Sequence, residues 1–281
     1  MSEAPATSDT AAVGRAAAAS FVAARRGARA LSGYPGPLPQ TLADAYARQD
    51  AAIALWPDDI AGWKVGRIAD SWVARMGERF LVGPIFRDRL WQARTDAVTH
   101  LPVIPGGFAA VEAEYVFVLA GSAPAARTEW TADEAAGLVA DLRVGIELAG
   151  SPLASINDLG PAAIVSDFGN NGGLMLGGRI ARWRSRPPEA LTCQTSVDGD
   201  RVGLGSAAAI VGGPLAALAF ALGCCARRGR PLRAGDVVST GACTGIHPIR
   251  IGEEARVAFA GSDELRCRAV RAQPVETGRA P

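Results

Sequence analysis

The sequence predicts an α+β fold, a helical N-terminal section followed by a mostly β body, from three observations. Residues up to Trp56 are rich in Ala, Arg, Leu and Gln, a helical composition. Beyond Trp56-Pro57 the texture changes to short runs in which apolar residues alternate with others, the signature of strands. The 33 glycines and 18 prolines among 281 residues call for many turns. With 49% hydrophobic and 20% charged residues, the chain has ample material for a buried core.

Taken in order, residues 1 to about 12 read as a tail. Two helices then run to Trp56, separated by "SGYPGPLPQ" at 32–40, a loop by its glycine and prolines. The boundary falls after Asp58, giving a helical section over 1–58 and a β-rich body over 59–281. Strands are expected in "GWKVGRI", "EAEYVFVLA", "VGIELAG", "TCQTSV", "DVVSTGA", "ARVAFAG" and "LRCRAV", with Asp198-Gly199 as a hairpin turn. Two helices interrupt them. "TADEAAGLVADL" opens on Thr131 with Glu134 three residues later, a capping box. "GGPLAALAFALGCCARRG" has Pro214 in its first turn and ends in arginines and Gly229.

Composition excludes several classes. A net charge of +1 provides no field for nucleic acid or an acidic membrane. The arginines of "RIARWRSRPP" solvate a turn, and those of "CARRGRPLR" complement a helix C-terminus. No apolar stretch reaches the ~18 residues of a membrane span. The N-terminus lacks the basic-then-apolar order of a signal peptide. Five cysteines without C-x-x-C spacing argue against disulfides or zinc and for a reducing cytoplasm; Cys224 and Cys225 read as core packing. There is no G-x-S-x-G, Walker loop or G-x-G-x-x-G after a strand.

Two features carry chemistry. Of 29 cationic side chains only Lys64 is a lysine. A guanidinium stays protonated, whereas an ammonium can give and take a proton when its surroundings shift its pKa; the plainer reading is a surface lysine left by chance. Second, Glu112 and Glu114 lie two apart in "VEAEYVFVLA", on one face of a strand, and Glu147 stands alone in "VGIELAG". Acids so placed repel unless a cation joins them, and three would suit an all-oxygen Mg²⁺ or Mn²⁺ site. The alternative is a solvent-facing pair with Glu147 bound to an arginine. The stretch "SDFGNNGG" makes either an anion-binding nest or an ordinary tight connection.

The ordered series Lys64 in G-W-K-V-G, "VEAEYVFVL", "GIELAGS", "VSDFGNNGGLMLG" and "GGPLAALAFALGCCARRGRPLRAGDVVSTGACTG" resembles the 2-keto-4-pentenoate hydratase branch of the fumarylacetoacetate hydrolase superfamily, from about residue 60 to 262. The resemblance implies a mixed β-sheet roll in which Glu112, Glu114 and Glu147 hold Mg²⁺ or Mn²⁺ and Lys64 projects over the metal. It implies a substrate of the 2-oxo or 2-hydroxy-dienoic acid class, as in aromatic-compound catabolism, and proton shuttling by a Lys64 of lowered pKa. Asp167 would orient water or Lys64, and substrate contacts would come from Ser151, Asn170, Asn171, Gly172 and Thr240. The family also implies a homo-oligomer.

Departures concern the far end of the substrate. Where such hydratases continue E-x-x-D-S-R, this chain has Gly150, Ser151 and Pro152. Leu81 and Val82 precede Gly83 where many carry an acid, and Phe168 follows Asp167 where Asn is frequent. Hydration is the leading expectation. Vinylogous decarboxylation uses the same groups, and acylpyruvate-type C–C hydrolysis would need a His–Glu pair from His100 or His247. His247 reads as a satisfied loop histidine and His100 as a strand-edge residue. From another class comes a non-catalytic partner subunit, against which the retained acids and lysine argue.

Overall fold

The computed structural model describes residues 7–94 and 97–275. Helix α1 (Thr7–Arg26) starts within the stretch expected to be a tail; the rest of that stretch, residues 1–6, lies outside the described residues. Helix α2 (Leu42–Leu55) begins where the Thr41 side chain accepts from the Asp44 amide and stops before Trp56-Pro57. Between them the 32–40 loop is non-helical, and a short helix, α3 (Asp70–Met76), follows farther along the chain.

The β body is built from two mixed sheets. The larger takes the order β2-β1-β10-β5-β6-β7-β3, with β11 also on β5. Its strands are β1 (Ile60–Arg67), β2 (Phe80–Phe86), β3 (Leu90–Gln92), β5 (Phe108–Leu119), β6 (Val139–Ser151), β7 (Asn171–Arg179), β10 (Val237–Ala242) and β11 (His247–Pro248). β1 runs parallel to β10 and β3 to β7; the remaining pairs are antiparallel. The smaller sheet, β4-β13-β12-β8-β9, uses β4 (Thr99–Val103), β8 (Thr192–Val197), β9 (Asp200–Ser206), β12 (Glu254–Phe259) and β13 (Leu265–Arg271). Asp198 and Gly199 both have positive φ, 47° and 91°, as a two-residue hairpin between β8 and β9 requires. His100 lies on the edge strand β4, opposite Arg268.

One expected element is cut short. The capping box of Thr131 and Glu134 forms, but helix α4 covers only Ala132–Ala136, and Val139 already begins β6. Pairing with β5 along nearly its whole length outweighs the local helical preference of the segment. Strands β2 and β7 carry no clear alternation: Phe80–Phe86 is buried throughout, and Asn171–Arg179 is rich in glycine. Pro84 is tolerated because β2 is the edge of its sheet.

Alternation on β5 sorts its two faces. Val111, Ala113, Tyr115, Phe117 and Leu119 join a core that includes residues of both sheets and of α1, α2 and α6 (Pro214–Arg227). Tyr115 meets Phe259 of the small sheet edge-on at 5.6 Å. Cys224 and Cys225 are buried in this core. The other face of β5 presents Glu112, Glu114 and Val116.

Candidate metal centre and its cleft

Register alone assembles the acids. Glu112 of β5 stands directly opposite Glu147 of β6, and Glu114 lies two residues along the same face. Glu114 and Glu147 have no solvent exposure and Glu112 is 6% exposed. The three carboxylates can each bring one oxygen within 4.8 Å of the others. From β1, Lys64 reaches in with its Nζ 3.4 Å from Glu147 Oε1; it too is buried. Lys64 is therefore no surface lysine, and Glu147 pairs with it rather than with an arginine.

Neighbouring backbone and side chains fix these groups. Ser239 Oγ donates to Glu114 Oε2 at 2.5 Å, and the Gly241 amide donates to the same oxygen at 2.9 Å. The Asn171 amide donates to Glu147 Oε1 at 2.9 Å. Glu114 Oε1 and Glu147 Oε2 are buried and have no partner. Two unpartnered carboxylate oxygens beside a third acid form an oxygen-only donor set, which suits a hard divalent cation such as Mg²⁺ or Mn²⁺. The residues present thus fit the implied metal.

Electrostatics agree. Burial, with Glu147 close by, raises the Glu112 carboxyl to about 7, against an opposing pull from Lys64. Burial and the other two acids push Glu114 well above the usual carboxylate range. Burial alone would lower the Lys64 ammonium, but Glu147, Glu112 and Glu114 outweigh it and hold the group above its ordinary value. This sign is opposite to the expected lowering, which presumes a cation beside the acids.

Lys64 and Glu112 of the cluster line a cleft of about 660 Å³, to which Asn170 and Thr240 also contribute; Glu114 and Glu147 lie behind that lining. Asn170 Nδ2 donates to Asn157 while its buried Oδ1 has no partner. Thr240 is committed to the Tyr115 carbonyl. The turn before β7 holds the stem of Lys64. Phe168, Gly169 and Asn170 have φ of 53°, 67° and 60°, three left-handed residues in succession rather than the alternating backbone of a nest. A Cβ on Gly83 would come within 2.1 Å of the Phe168 carbonyl, so only glycine lets β2 pack on this turn. Phe168 is held in this costly conformation by Phe86 and Trp56, edge-on at 5.0 and 5.5 Å.

The structure separates the other residues from the cleft. Ser151, Asn171 and Gly172 line a different cavity, of about 40 Å³, which shares no residue with the cleft. Asp167 is not among the residues that line the cleft. It is gripped by Arg25 of α1, Nε to Oδ1 at 2.6 Å and Nη2 to Oδ2 at 2.9 Å, and accepts from Ser151 Oγ at 2.5 Å. Arg25 also donates to the carbonyls of Asn171 and Gly150. A guanidinium from the N-terminal helix thus serves the end of β6, where Pro152 provides none. Arg25 carries no local mark among so many arginines, and Ser239, which follows Val237 and Val238 and precedes Thr240 in "DVVSTGA", carries none either. His247 shares a 3.1 Å hydrogen bond with Thr244, and among the described residues no hydrogen bond or ion pair joins His100 or His247 to a carboxylate.

No protein-family model matches the chain. Among solved structures it is similar to 4-oxalocrotonate decarboxylase from Pseudomonas putida G7. That enzyme, complexed with magnesium and adipate, superposes at a TM-score of 0.75 and 20% identity, over 96% of this chain and 100% of that one. Its complex with calcium and acetate superposes at 0.74, with the same identity and coverage. Fumarylpyruvate hydrolase from Pseudomonas aeruginosa, in complex with Mn²⁺ and pyruvate, superposes at 0.53 and 19% identity, over 74% of this chain and 88% of that one. In fold, the chain is of the fumarylacetoacetate hydrolase type that its sequence resembles.

Proposed function

We propose that the protein is a cytoplasmic, divalent-metal-dependent lyase that adds water to an unsaturated 2-oxo acid, with Glu112, Glu114 and Glu147 as the metal ligands. The observation that carries this reading is the buried triad, with two unpartnered oxygens and the chain's one lysine 3.4 Å from Glu147. Similar folds binding Mg²⁺ with adipate, Ca²⁺ with acetate and Mn²⁺ with pyruvate support it. A bound dication supplies charge that offsets the carboxylates and polarises the C1 carboxylate and C2 oxygen of the acid.

The chain's own groups then act as follows. With the pull of the acids offset, burial dominates at Lys64, its pKa falls, and Nζ can take a proton from the conjugated chain and return it. Ser239, Gly241 and Asn171 keep the carboxylates aimed, so little reorganisation accompanies the reaction. Asn170 Oδ1, unpartnered on the cleft wall, accepts a hydrogen bond from the water whose oxygen joins the distal carbon. The proton from that water ends on the adjoining carbon.

Decarboxylation is the second reading, favoured by the fold likeness to 4-oxalocrotonate decarboxylase over 96% of the chain. C–C hydrolysis would need a His–carboxylate pair, and none forms among the described residues. The test is the loss of ultraviolet absorbance of 2-hydroxypenta-2,4-dienoate with Mn²⁺-loaded protein. Turnover is expected to need the metal and to fall roughly 10²–10⁴-fold in Lys64→Met. Turnover that survives metal removal would overturn the reading. Carbon dioxide release from a dicarboxylic analogue, without hydration of the dienoate, would decide for the second.

A further inference from the structure

The cleft beyond Lys64 specifies more than a 2-oxo acid. Resting on the metal-centred reading above, we infer that the substrate is a monocarboxylate whose far end is an uncharged, apolar chain. An acid anchored by its C1 and C2 oxygens beside the triad must extend its tail along the rest of the cleft.

On β1 the next residue facing the same way as Lys64 is Gly66, and Leu81 of β2 stands opposite it. A Cβ on Gly66 would lie 3.3 Å from Lys64 Nζ and 3.1 Å from Leu81 Cδ1, so the ammonium and an isobutyl group border the same space. Phe80, Ile164, Ile210 and Val211 continue the lining from β2, from α5 (Pro161–Ser166) and from the turn after β9. At the rim, Leu204 and Ile246 are 69% and 52% exposed, the largest apolar exposures recorded among the described residues.

Charge is spent elsewhere in this cleft. Among the described residues, besides Lys64 and Glu112, only Arg67 and Asp70 of its lining are charged. These two pair with each other, Nη2 to Oδ2 at 3.0 Å, and both are open to solvent, so they present no net charge and no desolvated cation. The remaining polar groups are neutral; Thr240 is committed to a backbone carbonyl, and Thr244 to Thr195 and His247. A second carboxylate on the substrate would leave water for an apolar wall with no counter-charge, at a cost that nothing repays. An alkyl tail would instead cover Leu204 and Ile246 and gain by it. This bears on the reaction: a substrate without a distal carboxylate has none to lose, and the choice between the two readings turns toward hydration.

The test is calorimetric titration of the Mn²⁺-loaded full chain with pyruvate, 2-oxohexanoate and 2-oxoadipate, the last two alike in length and differing in terminal charge. The expected result is that 2-oxohexanoate binds at least tenfold more tightly than either of the others, and that Arg67→Ala leaves 2-oxoadipate binding unchanged. Tighter binding of 2-oxoadipate than of 2-oxohexanoate, with pyruvate also binding, would overturn the apolar tail alone. So would loss of 2-oxoadipate binding in Arg67→Ala, which would show Arg67 reading a second carboxylate. Failure of pyruvate itself to bind would remove the metal-centred reading and the tail with it.

Discussion

Two buried clusters of charge lie along β6, one around Asp167 and one around Glu147, and they are finished to different degrees. At the first, each oxygen of Asp167 meets a donor, from Arg25 or Ser151, and the charges cancel. At the second, three acids face one ammonium, and two oxygens have no partner. A folded chain gains nothing from the second arrangement by itself, since unpaired buried charge is expensive. The satisfied cluster ties α1 to the sheet. The unsatisfied one keeps its cost because a ligand is to repay it. The contrast sets a satisfied tie at Asp167 against an unsatisfied cluster at Glu147, although the sequence made both look like parts of one site.

Breaking the satisfied cluster should have the largest effect on folding. Arg25→Ala leaves Asp167 buried and unpaired, at a cost of about 3–5 kcal/mol. Urea denaturation would register that loss, while the folded fraction should bind Mn²⁺ far better than a triad variant does. In the other cluster the signs reverse. Glu114→Gln removes an acid whose ionised form burial and its two neighbours oppose, and should stabilise the metal-free protein by about 0.5–2 kcal/mol, most at alkaline pH. The same change should weaken Mn²⁺ binding more than the roughly 10–100-fold that loss of a supporting partner costs.

Acidity sharpens the comparison, because only the Glu147 cluster contains a carboxyl raised to about 7, that of Glu112. For a carboxyl raised from its ordinary 4.5, the stabilising contribution is present below 4.5 and is lost as pH climbs through about 7. Melting of the metal-free protein should therefore shift downward across that window. Mn²⁺ affinity should rise across it, since Glu112 must lose its proton to bind. Thermal scans with and without Mn²⁺ between about pH 4 and about pH 7.5, which bracket the shift, would show the two trends diverging. A smaller effect belongs to Asn171→Ala, which frees Glu147 Oε1 from its amide donor and should cost roughly 10-fold in metal affinity. Mn²⁺ titration of that variant checks it.

Much of the unsatisfied cluster was legible because charge interrupts an apolar pattern. Glu112, Glu114 and Glu147 each put a charge into an otherwise apolar strand, and Lys64 breaks the preference for arginine. Strand pairing then had only to bring the interruptions together. The Asp167 cluster was misplaced because its meaning depends on Arg25, more than a hundred residues away on a helix whose sequence marks no position as special. Ser151 and Gly172 are assigned to the substrate through the family resemblance alone. Yet β6 and β7 carry them to a cavity that shares no residue with the cleft. The segment after Thr131 misled for a related reason. Its capping box is real, but the pairing that makes Val139 a strand residue is set by β5.

The central claim is that the three carboxylates form a metal site on which a 2-oxo acid is held, and calorimetry of the metal-free protein tests it most directly. Mn²⁺ should bind at one site per chain, oxalate should then bind only to the metal-loaded protein, and both heats should vanish in Glu114→Gln. Oxalate binding that is equal with and without Mn²⁺, or Mn²⁺ binding that Glu114→Gln leaves intact, would contradict the claim.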